Sequence, residues 1–234
     1  MRIVKRLFVW TRNLFLLLVA ASILPVVIYK YVPVHYTPLM FIRLYEKDGA
    51  DGIDHRWTPI GQISRSMIQA VVASEDNLFM EHHGFDREQI NRAIDEARKG
   101  RRLRGASTIS QQTAKNVFLW PARSYFRKGL EAYFTLLIEW IWGKERIMEV
   151  YLNSVEAGTG IYGVEAASEA YFGKRACELV PEESALLAVI LPAPRKMNPK
   201  RASAYMRGRQ HHILSLMKKI APVDMGYRYP GTSN

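Results

Sequence analysis

Glu75 and Asp76 stand side by side at the end of an apolar stretch, with Phe79, Glu81, His82, His83 and Gly84 close behind. Met67, Ile68, Val71 and Val72 precede them at helical spacing, so the acids fall at a helix end, where Gly84 lets the chain turn. A carboxylate at an apolar helix end loses water. Desolvation then raises its proton affinity, as a general base requires. A solvated, charged helix end accounts for the same residues equally well. A metal pair is a third reading, but His82 and His83 are adjacent, point to different sides of a helix, and make poor co-ligands.

The run from Gly105 to Asn116 is Gly-Ala-Ser-Thr-Ile-Ser-Gln-Gln-Thr-Ala-Lys-Asn. Ser107 or Thr108 can cap a helix there, which places Gln111 and Lys115 one turn apart on one face. Helix amides, hydroxyls, side-chain amides and a lysine together make a phosphate cradle. An ordinary capped helix is the alternative. The adjacent Gln111 and Gln112 favour a site, because polar residues there add nothing to a core. Further on, Arg123, Arg127 and Lys128 precede Glu131 and Glu139. On one helix Lys128, Glu131, Thr135 and Glu139 form a polar stripe among Tyr133, Phe134, Leu136, Leu137 and Ile138. Such a stripe is usually a solvent face. The basic cluster beside two glutamates favours the wall of a cleft. Asn153, Gly158, Gly163 and the run from Ala166 to Lys174 are too scattered for a nucleotide-binding glycine fingerprint, and singly they suit turns and helix packing.

Positioning these groups falls mostly to helices. The pattern predicts one from Ile63 onward, then helices over 87–99, 108–118, 127–142, 144–152 and 203–220. Another opens at Pro181-Glu182-Glu183 and stops at Pro192. Residues 100–105 form a basic, glycine-bounded loop. Residues 37–58 read as a connector with one short strand over 41–45. No strand alternation stands out after Ile60, so the fold class is mainly α.

The chain has 234 residues, enough for one domain and an anchor. Its 48% hydrophobic and 24% charged residues are globular values. The net charge of +11 calls for an anionic partner: nucleic acid, anionic lipid or a phosphate-bearing substrate. The single cysteine, Cys177, allows neither an intrachain disulfide nor a zinc cluster and suits a buried apolar position. Residues 13–29 carry no charge, and Arg2, Lys5, Arg6 and Arg12 precede them, with no acid before Glu46. This is close to the roughly 17–25 residues a membrane span needs. The positive-inside rule puts the N-terminus in the cytoplasm and the rest outside, as an uncleaved signal-anchor. Pro25 would kink the span. The division expected is a basic tail over 1–12, an anchor over 13–34, a connector over 35–58, a catalytic domain over 59–222 and a tail over 223–234. An anchored domain without a recognition-helix arrangement argues against nucleic acid.

Taken together, the segments resemble the peptidoglycan glycosyltransferase family, the module at the front of bifunctional penicillin-binding proteins. The family's Glu-Asp, Phe, His-x-Gly pattern is matched by Glu75, Asp76, Phe79, His82 and Gly84. Its second pattern is matched throughout from Gly105 to Asn116, and its third by Arg127, Lys128, Glu131 and Glu139. The fourth is matched by Tyr151 to Asn153, Gly158, Gly163, Ala166, Ala167 and Tyr171 to Lys174, and the last by Leu186 to Ala188, Pro194 and Pro199. Thr135 departs from the family, which often has alanine there; packing is expected to adjust without loss of chemistry. Ser215-Leu-Met-Lys218 fits a transpeptidase motif by spacing, but no Lys-Thr-Gly follows, so the chain resembles the monofunctional members typical of Gram-negative bacteria.

The resemblance implies a lysozyme-like glycosyltransferase domain behind a transmembrane helix, with a smaller lobe against the inner membrane and the catalytic domain in the periplasm. It implies a polymerase that moves a lipid-linked glycan onto the 4-hydroxyl of lipid II with inversion, releasing undecaprenyl pyrophosphate. Glu75 would be the general base and Glu131 the second catalytic carboxylate, working through a divalent cation (Mg or Mn) on the pyrophosphate side. Lys115, Arg123 and Lys128 would neutralise the pyrophosphate, and Ser107 and Gln111 would position it. Asp76, Phe79, His82, Gly84, Gln112, Asn116, Glu139 and Asn153 would support the motifs. The partners implied are lipid II, nascent lipid-linked glycan, membrane lipid and other cell-wall synthesis proteins. A glycan-cleaving lytic transglycosylase is the nearest rival, but it needs no pyrophosphate cradle. A non-catalytic membrane scaffold would not need both Glu75 and Glu131.

Overall fold

The computed structural model describes residues 2–46, 49–100, 107–122 and 124–226. The chain divides into two compact units after residue 33. The first is helix α1 (Arg2–Tyr31), which contains Pro25. At 1.5 Å per residue it is about 45 Å long. Its window of mean hydropathy 2.1 suits a membrane span, and its apolar side chains are largely exposed. The helix begins within the basic segment rather than at residue 13. Lysine and arginine are good helix formers, and nothing in that segment breaks the ladder.

In the second unit the strand expected over 41–45 is a helix, α2 (Pro38–Leu44). Thr37 caps it by accepting from the Met40 amide, and Pro38 starts it with a preset φ. Then come α3 (Arg65–Glu75), α4 (Arg87–Arg98), α5 (Ile109–Phe118), α6 (Tyr125–Ile141) and α7 (Lys144–Ser154). After these lie α8 (Val164–Phe172), α9 (Pro181–Ile190) and α10 (Ala204–Met217). Most agree with the helical periodicity to within a few residues; α8, taken as turns and packing, was not foreseen.

Among the described residues three strands also form: β1 (Asp54–His55), β2 (Glu156–Gly158) and β3 (Ile161–Tyr162), in the order β1-β3-β2. β1 runs parallel to β3, and β2 antiparallel with an irregular register. At two or three residues each they are too short to show alternation. Gly163 follows β3 at φ +80°, where a Cβ would lie 2.8 Å from the Asn153 carbonyl oxygen. Only glycine lets α8 start against the end of α7.

The core has two helix groups. In one, α5 packs on α6, α7 and α2; in the other, α3 packs on α9 and α10. Met67, Ile68, Val71, Ile109, Ile138, Ile147, Leu187 and Ile190 are buried between them. Gln69 ties down the chain after α10: its amide donates to the Met217 and Ala221 carbonyls and its oxygen accepts from the Val223 amide. The two groups meet at the C-terminus of α3 and the N-terminus of α5, where the chemistry-bearing residues gather.

Candidate active site

Asp76 builds the junction. It is buried, one carboxylate oxygen accepts from the Ile109 amide at the start of α5, and both accept from His82 Nε2 at 2.8 and 2.9 Å. The Gly84 amide donates to His82 Nδ1 at 3.1 Å, so the ring carries its proton on Nε2 and gives it to Asp76. Gly84 accepts from the Thr108 hydroxyl at 2.7 Å. Phe79 is fully buried, with the Lys144 ammonium 4.7 Å from its ring centre. Lys144 also reaches Glu139 at 2.7 Å, and Glu139 accepts from Ser110. Asp76, Phe79, His82, Gly84 and Glu139 thus brace the site rather than line it.

The general-base candidate is held from α5. Gln112 Nε2 donates to Glu75 at 3.0 Å, and the Tyr151 hydroxyl makes a long 3.4 Å bond to the Gln112 oxygen. Burial pushes the Glu75 carboxyl up; the Gln112 bond and the charges of Arg209 and Lys115 pull it down, and Asp76 pushes it up again. Tyr151, fully buried and facing the charges of Glu75 and Asp76, is pushed well above the usual phenol range. It stays protonated and fixes which way the Gln112 amide points. Lys115 is displaced in the other direction. Burial lowers it most, Glu131 raises it, and Arg127, Arg43 and Lys128 lower it. Lys115 therefore lies within electrostatic reach of both acids.

Glu131 is 3% exposed. One oxygen receives Arg127 at 2.6 Å and the other the Lys128 ammonium. The polar stripe of α6 thus faces inward: Glu131 and Thr135 are buried, while Tyr125, Phe126, Leu136 and Trp140 on the same helix are exposed. The Thr135 hydroxyl bonds back to the Glu131 carbonyl at 2.7 Å. The threonine is accommodated as expected.

A cavity of about 420 Å³ opens beside these groups, lined on α5 by Gln112, Lys115 and Asn116 and on α6 by Arg127. Arg43 and Glu156 also line it. Two expected assignments shift, and one open choice is decided. Gln111 is spent on a capping box with Thr108, so Gln112 is the glutamine that faces the base and the cavity. Thr108 rather than Ser107 is the cap, and Ser107 stands half-buried one residue before it. Arg127 lines the cavity, whereas Lys128 is half-exposed on Glu131. Asn153 holds the fold: its amide group accepts from the Thr58 amide and donates to the Thr58 and Glu149 carbonyls. Arg123 lies outside the described residues.

The donor set does not fit a resident Mg or Mn ion. Among the described residues no three His, Cys, Asp or Glu side chains stand together to hold one, and both oxygens of Glu131 already carry cations. Residues missed in the sequence are Tyr151 as a positioner, Arg209, and Arg43 with Glu156. Tyr151 and Arg127 sat within matched motifs; nothing around Arg43 or Arg209 marked them.

A desolvated carboxylate beside a cavity with buried cations can take a proton from a hydroxyl while an anionic leaving group departs. Known proteins share this arrangement's sequence. Residues 44–218 match the family model described as transglycosylase. A relative from Caulobacter vibrioides, named biosynthetic peptidoglycan transglycosylase, is 51% identical over 216 residues, spanning 91% of this chain and 92% of its own length. Proteins of that name from Bacteroides thetaiotaomicron and Rhodospirillum centenum are 48% and 52% identical, over 94% and 89% of this chain and 92% and 87% of their own lengths. With the matched model covering most of the chain, this protein belongs to the peptidoglycan transglycosylase family, and its mainly helical domain has the family's lysozyme-like fold.

Proposed function

We propose that this protein polymerises the glycan strand of bacterial peptidoglycan, moving the lipid-linked chain onto the 4-hydroxyl of lipid II with inversion at the anomeric carbon. The observation that carries the reading is Glu75, desolvated and held by Gln112 beside a cavity walled by Lys115 and Arg127. Glu75 takes the hydroxyl proton as the 4-oxygen bonds to the anomeric carbon. The carbon–phosphate-oxygen bond breaks, and its electron pair leaves with undecaprenyl pyrophosphate. Lys115 and Arg127 meet the charge that builds on the leaving group. Glu131 holds Arg127 and Lys128 in place, and Arg123 is assigned to the same charge from the sequence alone. A divalent cation, were one required, would have to be held largely by the substrate's phosphates, and would supply charge neutralisation on the leaving group beside Lys115 and Arg127.

The protein works at the inner membrane, with α1 crossing once, N-terminus inside, and the catalytic unit in the periplasm. The basic lead of α1 and its hydropathy support this. The outward apolar face of α6, Tyr125, Phe126, Leu136 and Trp140, supports contact with membrane lipid, as a helix with polar residues inside and aromatics outside is inverted for water.

The test is incorporation of labelled lipid II by full-length protein in detergent, with Glu75→Gln beside it. The wild type should make lysozyme-sensitive polymer, and the variant should be slower by about 10³-fold, within the usual range for a general base. Shortening of preformed glycan without polymer would favour the cleaving enzyme. Binding of lipid II with neither activity would favour the scaffold.

A further inference from the structure

Arg43 enters the cavity from α2, at the margin of the matched domain, and belongs to none of the motifs above. It is one of two arginines that share two glutamates. Its Nη1 takes both oxygens of Glu46, at 3.0 and 2.9 Å, and its Nε faces Glu156 at 3.8 Å. Arg195, just past Pro194 of the cavity wall, reaches the same two acids at 2.9 and 2.5 Å. Sharing leaves a donor over: Arg43 Nε is buried and makes no hydrogen bond. Buried guanidinium donors without acceptors are costly and uncommon. A simple i,i+3 helix pair would need neither the second arginine nor a place in the cavity wall.

The charge of Arg43 also acts on the site, since it is among the cations that lower Lys115. Arg43, Lys115 and Arg127 line one space, and an anion there would be drawn to all three. The ligand chemistry that suits them is a multi-oxygen anion, which a planar guanidinium grips with two donors. Within the substrate class of the proposed reaction, on which this step rests, two groups qualify: the diphosphate and a carboxylate of the peptide stem. The diphosphate fits better, because Lys115 and Arg127 already face the same cavity.

We propose that Arg43 is a substrate-binding residue, supplied by α2, whose guanidinium joins Lys115 and Arg127 on the diphosphate of the lipid-linked substrate. Glu46, Glu156 and Arg195 aim it. Its contribution is to binding, while the proton transfer remains with Glu75.

The experiment uses the full-length chain in detergent. Arg43→Gln and Glu46→Gln are each placed in the Glu75→Gln background, and binding of lipid II and of undecaprenyl pyrophosphate is measured. Arg43→Gln should weaken both by about tenfold, which is about 1.4 kcal/mol. Glu46→Gln removes the charge of the ion pair but keeps the cation and leaves an amide oxygen to aim it, and should weaken either by no more than about twofold. With Glu75 restored, Arg43→Gln should raise KM for lipid II by a similar factor and change kcat by less than about threefold. Unchanged binding in Arg43→Gln would overturn the proposal. Equal losses in the two variants would overturn it too, by making the pair structural, and a loss for lipid II alone would move Arg43 to the peptide stem. If Arg43→Gln fails to fold, Arg43→Lys keeps the charge without the fork and should show a smaller loss for both ligands; none would overturn the proposal. Should the wild type make no polymer, the polymerase reading fails, and the two binding measurements still decide the role of Arg43.

Discussion

At the scale of single residues, the role proposed for Glu75 as a base makes Gln112, its hydrogen-bond donor, the residue that should tune it. A base must be ionised, so activity falls as pH drops through its pKa. Burial already moves that limb above the ordinary value of 4.5, and the Gln112 hydrogen bond counters the shift. Gln112→Ala removes a bond that favours the charged form, so the acid limb of kcat/KM should move to higher pH. The loss relative to wild type should therefore be larger at pH 6 than at pH 8, and a uniform loss across pH would mean that Gln112 only packs. Burial lowers Lys115 from its ordinary 10.5, so loss of its charge should produce an alkaline limb, and Lys115→Arg should carry that limb upward. The acids and Lys115 were legible in the sequence because a charge that interrupts an apolar helical face needs a reason. The choice between Gln111 and Gln112 was not legible. Both are polar neighbours, and only the capping box with Thr108 shows which is spent on the backbone.

At the scale of elements, the junction of α3, α5 and α6 depends on close approach at Gly84. Its φ is +87°, and a Cβ would lie 2.8 Å from Thr135 Cγ2 and 3.0 Å from Glu139 Cγ. Gly84→Ala should cost about 3 kcal/mol, combining roughly 1–2 kcal/mol for a left-handed non-glycine residue with overpacking of similar size. Denaturant unfolding measures this. Adding Thr135→Ala removes the nearest contact and should recover part of the loss, so strictly additive effects would rule out the packing argument. Helices α3, α5, α6, α7, α9 and α10 were readable because apolar periodicity runs along each, with a side-chain cap at the start of α3, α5, α6 and α10 and a proline at the start of α9. Helix α2 was not: Phe41 to Tyr45 suits a strand by composition, and the Thr37 cap with Pro38 decides otherwise. The three strands are set by pairing between distant segments, Asp54 with Ile161 for one, which no local pattern reveals. The burial of the polar stripe on α6 could be posed from sequence as a choice, and the packing of α5 against that helix settles it.

At the scale of the whole chain, the question is what α1 adds to a unit that carries its own core and site. Residues 34–234 hold both helix groups, the cavity and every described side chain assigned to the chemistry. As the proposed membrane anchor, α1 would add confinement. A substrate on a long lipid tail stays in the bilayer, and an enzyme tethered there meets it at a raised effective concentration, commonly worth 10²-fold or more. Removing residues 1–33 should then leave the unfolding temperature of the remaining unit and its kcat in detergent close to those of the full chain. On vesicles that carry lipid II, the truncated protein should be slower by at least about tenfold at equal concentration, because the apolar face of α6 alone must hold it there. Comparing both forms on vesicles and in micelles separates the two contributions. Equal loss in both media would mean that α1 supports the catalytic unit itself. No loss in either would mean that Tyr125, Phe126, Leu136 and Trp140 suffice to keep the site at the membrane, and changing Leu136 and Trp140 to lysine should then abolish the vesicle activity while sparing that in micelles.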